Sequence, residues 1–157
     1  MPTLHLGVIE SKYANNDKSV GTGDVANILE KHYAVLTGFA VTHDQTMADM
    51  LAESYAGSLE TIMMGGPISD PAAGAMSKIS SKMKTYISSQ EAERVLAPGV
   101  KKYPVPTEAA LLGITHRFKD PTLGTSKNKR KLGRYGARRP SFRDTGLYES
   151  SLIAWME

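Results

Sequence analysis

Apolar residues recur at helical spacing from Asp24 to Ser88, and this periodicity restricts the fold more than any other feature of the chain. It falls into three segments, which begin near Asp24, Asp44 and Pro71. The apolar stripes of the three segments contain, in order, Val25, Ile28, Leu29, Leu36 and Phe39; Met47, Met50, Leu51, Leu59, Ile62 and Met63; and Ala75, Met76, Ile79, Met83 and Ile87. Three amphipathic helices with a shared core predict a mainly α fold, a compact helical domain with extended N-terminal and C-terminal arms.

Boundary signals place the ends of these helices. Thr22 or Asp24 is suited to cap the first helix, and Gly65-Gly66-Pro67 ends the second. The capping-box pattern from Ser88 to Glu91 predicts a short fourth helix that ends before Pro98-Gly99. A further helical turn is predicted after Thr107.

The chain has 157 residues, the length of one domain. We divide it into an N-terminal arm with a short strand between Thr3 and Ile9, a helical body, a basic extended loop and an apolar C-terminal segment. These regions span residues 1–23, 24–115, 116–143 and 144–157. The apolar segment needs a docking surface, which is either the chain's own core or that of a neighbouring subunit.

Charge is concentrated in the basic extended loop. Residues 1–115 contain 9 Lys and Arg against 12 Asp and Glu, residues 116–143 contain 10 against 1, and residues 144–157 contain none against 3. The densest positive run consists of Lys127, Lys129, Arg130, Lys131, Arg134, Arg138 and Arg139. This run is suited to contact phosphates, an acidic groove on another protein, or solvent alone. A cytosolic nucleic-acid-binding protein that uses residues 127–139 is therefore an alternative function.

No residue pattern indicates an enzyme. Asp144-Thr145-Gly146 is the tripeptide of aspartic proteases, but no hydrophobic strand precedes it, so Asp144 is better read as a helix cap and Gly146 as a turn residue. Glu91 and Glu93 lie two positions apart and point away from each other on a helix, which predicts a solvated surface. We predict no catalytic residues and no cofactor.

Metal and membrane sites are not indicated either. The chain has no cysteine, and its four histidines are too far apart in sequence for a zinc helix. Its apolar runs are too short to span a bilayer, so we expect no membrane association. The eight methionines, among them Met47, Met63, Met76 and Met83, predict either a core seam between two helices or an adaptable surface for a partner.

Four segments resemble a group of phage and prophage virion proteins. The strongest is Arg138 to Trp155, which contains Arg-Pro-Ser-Phe, Asp-Thr-Gly-Leu-Tyr, Ser-Ser and Ala-Trp in the order found at the end of those proteins. The segments from Thr22 to Glu30, Leu51 to Glu60 and Pro106 to Ala110 are also similar. The Pro and Asp-Thr-Gly element resembles the neck and tail-completion proteins of tailed phages.

The resemblance implies a structural subunit of the ring between head and tail. Such subunits assemble as six- or twelve-fold rings around the DNA channel and contact other neck and tail proteins. Their expected location is the virion, after assembly in the host cytoplasm. The basic residues named above would face a partner or the DNA in the channel. The expected assembly contacts are Pro140, Phe142, Asp144, Gly146, Leu147, Tyr148, Leu152 and Trp155.

Overall fold

The structure, a computed structural model, describes residues 2–13, 21–67, 70–96, 105–111, 113, 137–143 and 146–157. Its elements, in chain order, are β1 (Leu4–Val8), α1 (Thr22–Tyr33), α2 (Val35–Met63), α3 (Ala73–Ser88), α4 (Glu91–Leu96), α5 (Glu108–Leu111), α6 (Leu147–Ser151) and β2 (Leu152–Met156). The predicted mainly α fold is confirmed. Among the described residues, no helix combines the length and the apolar character needed to span a membrane.

The first predicted helix is divided in two. The sequence predicted one helix from Asp24 through Phe39, but the chain turns sharply at Ala34, which has a φ of 52°. The carboxylate of Glu30, in the last turn of α1, stabilises this turn. It accepts hydrogen bonds from the amides of Leu36 (2.8 Å) and Thr37 (3.2 Å) and so caps the start of α2.

Of the two predicted caps of α1, Asp24 contributes to the start of the helix from its third position, and Thr22 has another role. Gly21 occupies the N-cap position, and its amide donates to the Asp24 carboxylate at 3.1 Å. Thr22 is the first helical residue and is fully buried. Its hydroxyl donates to the Ile9 carbonyl (2.7 Å) and accepts from the Ser11 amide (2.9 Å), so it joins α1 to the chain that follows β1.

α2 continues through the position where a second helix was predicted to begin. A kink at His43 (φ −111°, ψ 15°) marks that position. The His43 ring is buried between the rings of Phe39 and Tyr86, with centroid distances of 4.7 and 5.9 Å. The kink thus lies at the residue whose ring enters the core, which α2 forms mainly with α3.

The core lies between α2, α3 and the C-terminal segment. Its largest fully buried side chains include Phe39, Ile79, Met83 and Tyr86. Met47 is also buried in this core, so the predicted methionine seam exists at Met47 and Met83.

The two ends of the chain form a two-stranded antiparallel sheet. β1 pairs with β2 in a register that places Leu4 opposite Met156 and Val8 opposite Leu152. β2 lies against α3, where the Ala154 amide donates to the Ser80 hydroxyl at 2.9 Å. The C-terminal segment thus docks on the chain's own core, the first of the two predicted alternatives.

Candidate interaction surfaces

The C-terminal end of α2 presents a large apolar surface. Two bonds tie α2 to the rest of the structure where its exposed end begins: the Ser54 hydroxyl donates to the Pro71 carbonyl at 2.7 Å, and the Tyr55 hydroxyl donates to the Met156 sulfur at 3.9 Å. Beyond Ser54 lies the segment that we name the α2 tip, residues 55–64, in which every residue except Ser58 is exposed. Its exposed large apolar side chains are Tyr55, Leu59, Ile62, Met63 and Met64.

The chemistry of the α2 tip fits an apolar partner. Tyr55, Leu59, Ile62 and Met63 follow one another at helical spacing on one side of the tip. Leu59 is 60% and Met63 is 79% exposed. Glu60 is the only charged residue in the tip. The methionines therefore divide between the core and the surface: Met47 and Met83 are buried, and Met63 is exposed, while its use by a partner stays a prediction.

Glu93 corrects the prediction of a solvated carboxylate pair. Its side chain is only 6% exposed and forms an ion pair with Arg138 at 2.8 Å. The same carboxylate accepts a hydrogen bond from the Ser141 amide at 2.7 Å. The sequence contained a signal for this burial, because Glu93 lies three residues before Leu96 on the face of α4 that also carries the buried Ala92.

Ser141 extends this polar cluster towards α5. It is buried, and its hydroxyl accepts a hydrogen bond from the Thr107 amide at 3.1 Å. The Arg139 amide donates to the Ala110 carbonyl at 3.1 Å. We name the segment 137–143 the C-terminal strap, since these bonds tie it to both α4 and α5.

The environment of Glu93 favours its charged form. Burial raises the pKa of the Glu93 carboxyl, but the hydrogen bonds from Ser141 and the ion pair with Arg138 outweigh it, so the net pKa is lowered. The carboxylate is therefore ionised at neutral pH and holds the strap as an anion.

Unlike the Glu93 carboxylate, the buried hydroxyl of Tyr86 has no polar partner that offsets the cost of its burial in the described part of the chain. The Tyr86 hydroxyl is buried and has no hydrogen-bond partner among the described residues. Burial, followed by the charges of Glu91 and Glu30, raises the pKa of Tyr86 to about 12. Tyr148 is similarly buried without a partner for its hydroxyl in the described part of the chain, and burial raises its pKa also.

Most of the predicted basic site lies outside the described residues. This holds for Lys127, Lys129, Arg130, Lys131 and Arg134. Arg138 and Arg139 are described, and both belong to the strap: Arg138 pairs with Glu93, and the Arg139 guanidinium donates to the Arg143 carbonyl.

The predicted assembly contacts divide into buried and surface residues. Tyr148 and Leu152 belong to the chain's own core. The Phe142 ring packs against the Tyr33 ring, with 5.0 Å between the ring centroids. Pro140, Gly146 and Leu147 are half-buried, and Asp144 lies outside the described residues. Trp155 is on the surface, where its ring stacks on His5 at 5.3 Å. The predicted turn at Gly146 is present, with a φ of 78°.

The described residues contain no group of three or more His, Asp or Glu side chains that is arranged to hold a metal ion. His43 Nε2 lies 3.3 Å from the Glu91 carboxylate, but the two form a pair rather than a ligand set. No family model, curated protein or solved structure matches the chain.

Proposed function

We propose that this chain is a structural subunit of the ring that joins head and tail in a tailed phage, at the neck or tail-completion position. The observation that carries the proposal is the α2 tip, an apolar helix end in which every residue except Ser58 is exposed. A protein that works by association needs such a surface, and isolated subunits rarely expose one without a partner. The proposed class of protein, a phage structural subunit, comes from the resemblance of residues 138–155 to phage virion proteins.

The residues that carry the resemblance support a folding role. Arg138 and Ser141 hold the strap on Glu93, Gly146 supplies the turn before α6, and Tyr148 and Leu152 fill the core. The residues of this motif therefore stabilise the fold of the subunit. The assembly contacts of the proposed ring are then the α2 tip and the exposed Trp155, with the buried motif residues acting through the fold.

The nucleic-acid-binding alternative has less support. Of the seven basic residues assigned to it, Arg138 is half exposed but neutralised by Glu93. Each phosphate contact requires a free cation, so this pair removes one candidate from the positive run.

The direct test is to delete the gene from the phage or prophage genome that encodes it and to image the particles by electron microscopy. We expect DNA-filled heads and separate tails that fail to join. Expression of the wild-type protein from a plasmid should restore complete particles, and expression of a variant with Leu59→Gln and Met63→Gln should not. Normal particles from the deletion strain would refute the proposal.

A further inference from the structure

The hydrogen bonds of β1 alternate between the two sides of the strand. The Thr3 amide donates to the Glu157 carbonyl, the Glu157 amide donates to the Thr3 carbonyl, and the Ile9 amide donates to the Ser151 carbonyl. In an antiparallel pair, every second residue directs both backbone groups to the partner strand. His5 and Gly7 therefore also face β2, and Leu4, Leu6 and Val8 direct their amides and carbonyls to the opposite edge.

That opposite edge has no partner strand among the described residues, because the sheet consists of β1 and β2 alone. Proteins usually protect such an edge with a proline, a charged side chain or a bulge. Leu4–Val8 contains neither proline nor an acidic residue, lysine or arginine, and its register with β2 is continuous. The edge is thus a regular template for another extended backbone.

From this edge we infer that β1 pairs with the β1 strand of a second copy of the chain. The two strands run antiparallel about a two-fold axis at Leu6, so that Leu6 faces Leu6 of the second copy and Leu4 faces Val8. This register joins all the edge-facing groups of Leu4, Leu6 and Val8 in six hydrogen bonds. The product is one four-stranded sheet in which β1 of each copy lies at the centre.

The occupant is a second copy because the edge is complementary to itself. Leu4, Leu6 and Val8 all place their side chains against the subunit core, so a two-fold pairing extends one apolar sheet face across both copies. The outer face at the axis carries His5 and Gly7, and the Trp155 ring covers Gly7. β2 cannot serve instead, because α3 covers its outer edge through the bond from the Ala154 amide to Ser80.

The inference does not rest on the proposed function, since it requires only two copies of the chain. The test is residue-resolved amide hydrogen exchange of the full-length protein, followed by NMR at concentrations from about 10 µM to about 1 mM. We expect the His5 and Gly7 amides to exchange slowly throughout, because they bond to β2. The Leu6 and Val8 amides should exchange at least about tenfold more slowly at the high concentration than at the low one.

Two results would overturn the inference. The first is a Leu6 amide that stays unprotected at the highest concentration, whether the protein associates or stays monomeric. The second is full protection of that amide at the lowest concentration with a monomeric mass. The measurement is repeated on the Leu59→Gln, Met63→Gln variant, in which the slowing should persist, so that association through the α2 tip is distinguished from pairing at β1.

A pair of proline variants provides the matched control. Leu6→Pro removes an amide that faces the open edge, so it should reduce the dimeric mass in light scattering while the β1–β2 pairing remains. His5→Pro removes an amide that bonds to β2 and should instead disrupt the sheet of each subunit. If Leu6→Pro does not fold, the exchange of the wild-type amides alone decides the question.

Discussion

The side chains of Glu93 and Arg138 form an ion pair with a distance of 2.8 Å between their nearest atoms, although 45 positions separate them in the chain. Glu93 is buried on α4, and the Arg138 side chain is half exposed. The pair fixes the C-terminal strap to the helical body. Because the strap leads into α6 and β2, this contact helps to place the whole C-terminal segment.

Glu93→Gln should weaken the fold. The substitution removes the charge that receives the Arg138 guanidinium and the Ser141 amide, and hydrogen bonds to a charged group contribute about 1.5–3 kcal/mol. We expect the free energy of unfolding to fall by about 2 kcal/mol in urea denaturation. Glu53→Gln is the control, because Glu53 pairs with Lys78 at 2.7 Å on the exposed surface and should change little. Equal effects of the two substitutions would contradict this account.

Protonation of the Glu93 carboxylate should lower the free energy of unfolding in acid. Since the pKa of Glu93 is lower in the folded chain than its ordinary value of 4.5, its contribution is fully present above that pH and is lost as the pH falls through the folded pKa. The difference in unfolding free energy between wild type and Glu93→Gln should therefore shrink as the pH is lowered below 4.5. A difference that is independent of pH would show that the charge is not what holds the strap.

Tyr86→Phe should not destabilise the protein at neutral pH. The Tyr86 hydroxyl is buried and has no partner among the described residues, so its removal leaves no group unpaired and relieves a desolvation cost. Tyr86→Ala, by contrast, creates a cavity and should cost about 3–5 kcal/mol. A loss of more than about 1 kcal/mol in the Phe variant would indicate a hydrogen bond to the hydroxyl.

The same tyrosine should make the wild type sensitive to alkali. Its pKa rises from 10.0 to about 12 on folding, so the folded chain keeps the neutral phenol, and this contribution is complete below pH 10 and is lost as the pH rises towards 12. Urea denaturation at a series of pH values above 10 should show a steeper loss in wild type than in Tyr86→Phe. Parallel curves would contradict the burial of this hydroxyl.

The Leu59→Gln, Met63→Gln variant should lose association through the α2 tip, but not pairing at β1, without losing its fold. Both side chains are largely exposed, so their replacement removes apolar area from the proposed contact between subunits and little from the core. We expect a smaller mass in light scattering and an unchanged Tm. Val41→Gln is the matched control, because Val41 is 76% exposed on α2 but lies outside the α2 tip. If the mass of the double variant is unchanged, or if Val41→Gln lowers the mass equally, the α2 tip is not a specific contact of the assembly.

The nucleic-acid alternative and the ring proposal predict different results when binding to a short DNA duplex is titrated with salt. If Lys127, Lys129, Arg130 and Lys131 bind phosphates, affinity should fall by roughly 0.9 log units per log unit of salt for each phosphate contacted, and four substitutions to Ser should flatten that slope. The ring proposal predicts feeble binding by the isolated wild type and failed complementation of particles by the Ser variant. Tight, salt-sensitive binding together with full complementation would favour the alternative.

The sequence by itself determined the helices of the body, because their stability depends on local periodicity and on end signals. The stripe through Ile79 and Met83, the stop at Gly65 and the capping pattern before Glu91 each lie within a few residues of the feature that they predict. The strand near the N-terminus was also predicted from local alternation. No local signal predicted β2, since a strand forms only where another strand pairs with it.

Only the tertiary structure decided which residues meet. The turn at Ala34 depends on the Glu30 carboxylate reaching the amides of the next helix, and a stripe that continues across the turn conceals it. Glu93 was predicted to be solvated from its spacing to Glu91, and the partner that meets it, Arg138, is remote in sequence. The exposed α2 tip carries the same apolar spacing as the buried part of α2. Periodicity measures which side of a helix is apolar, whereas burial depends on whether another element reaches that side.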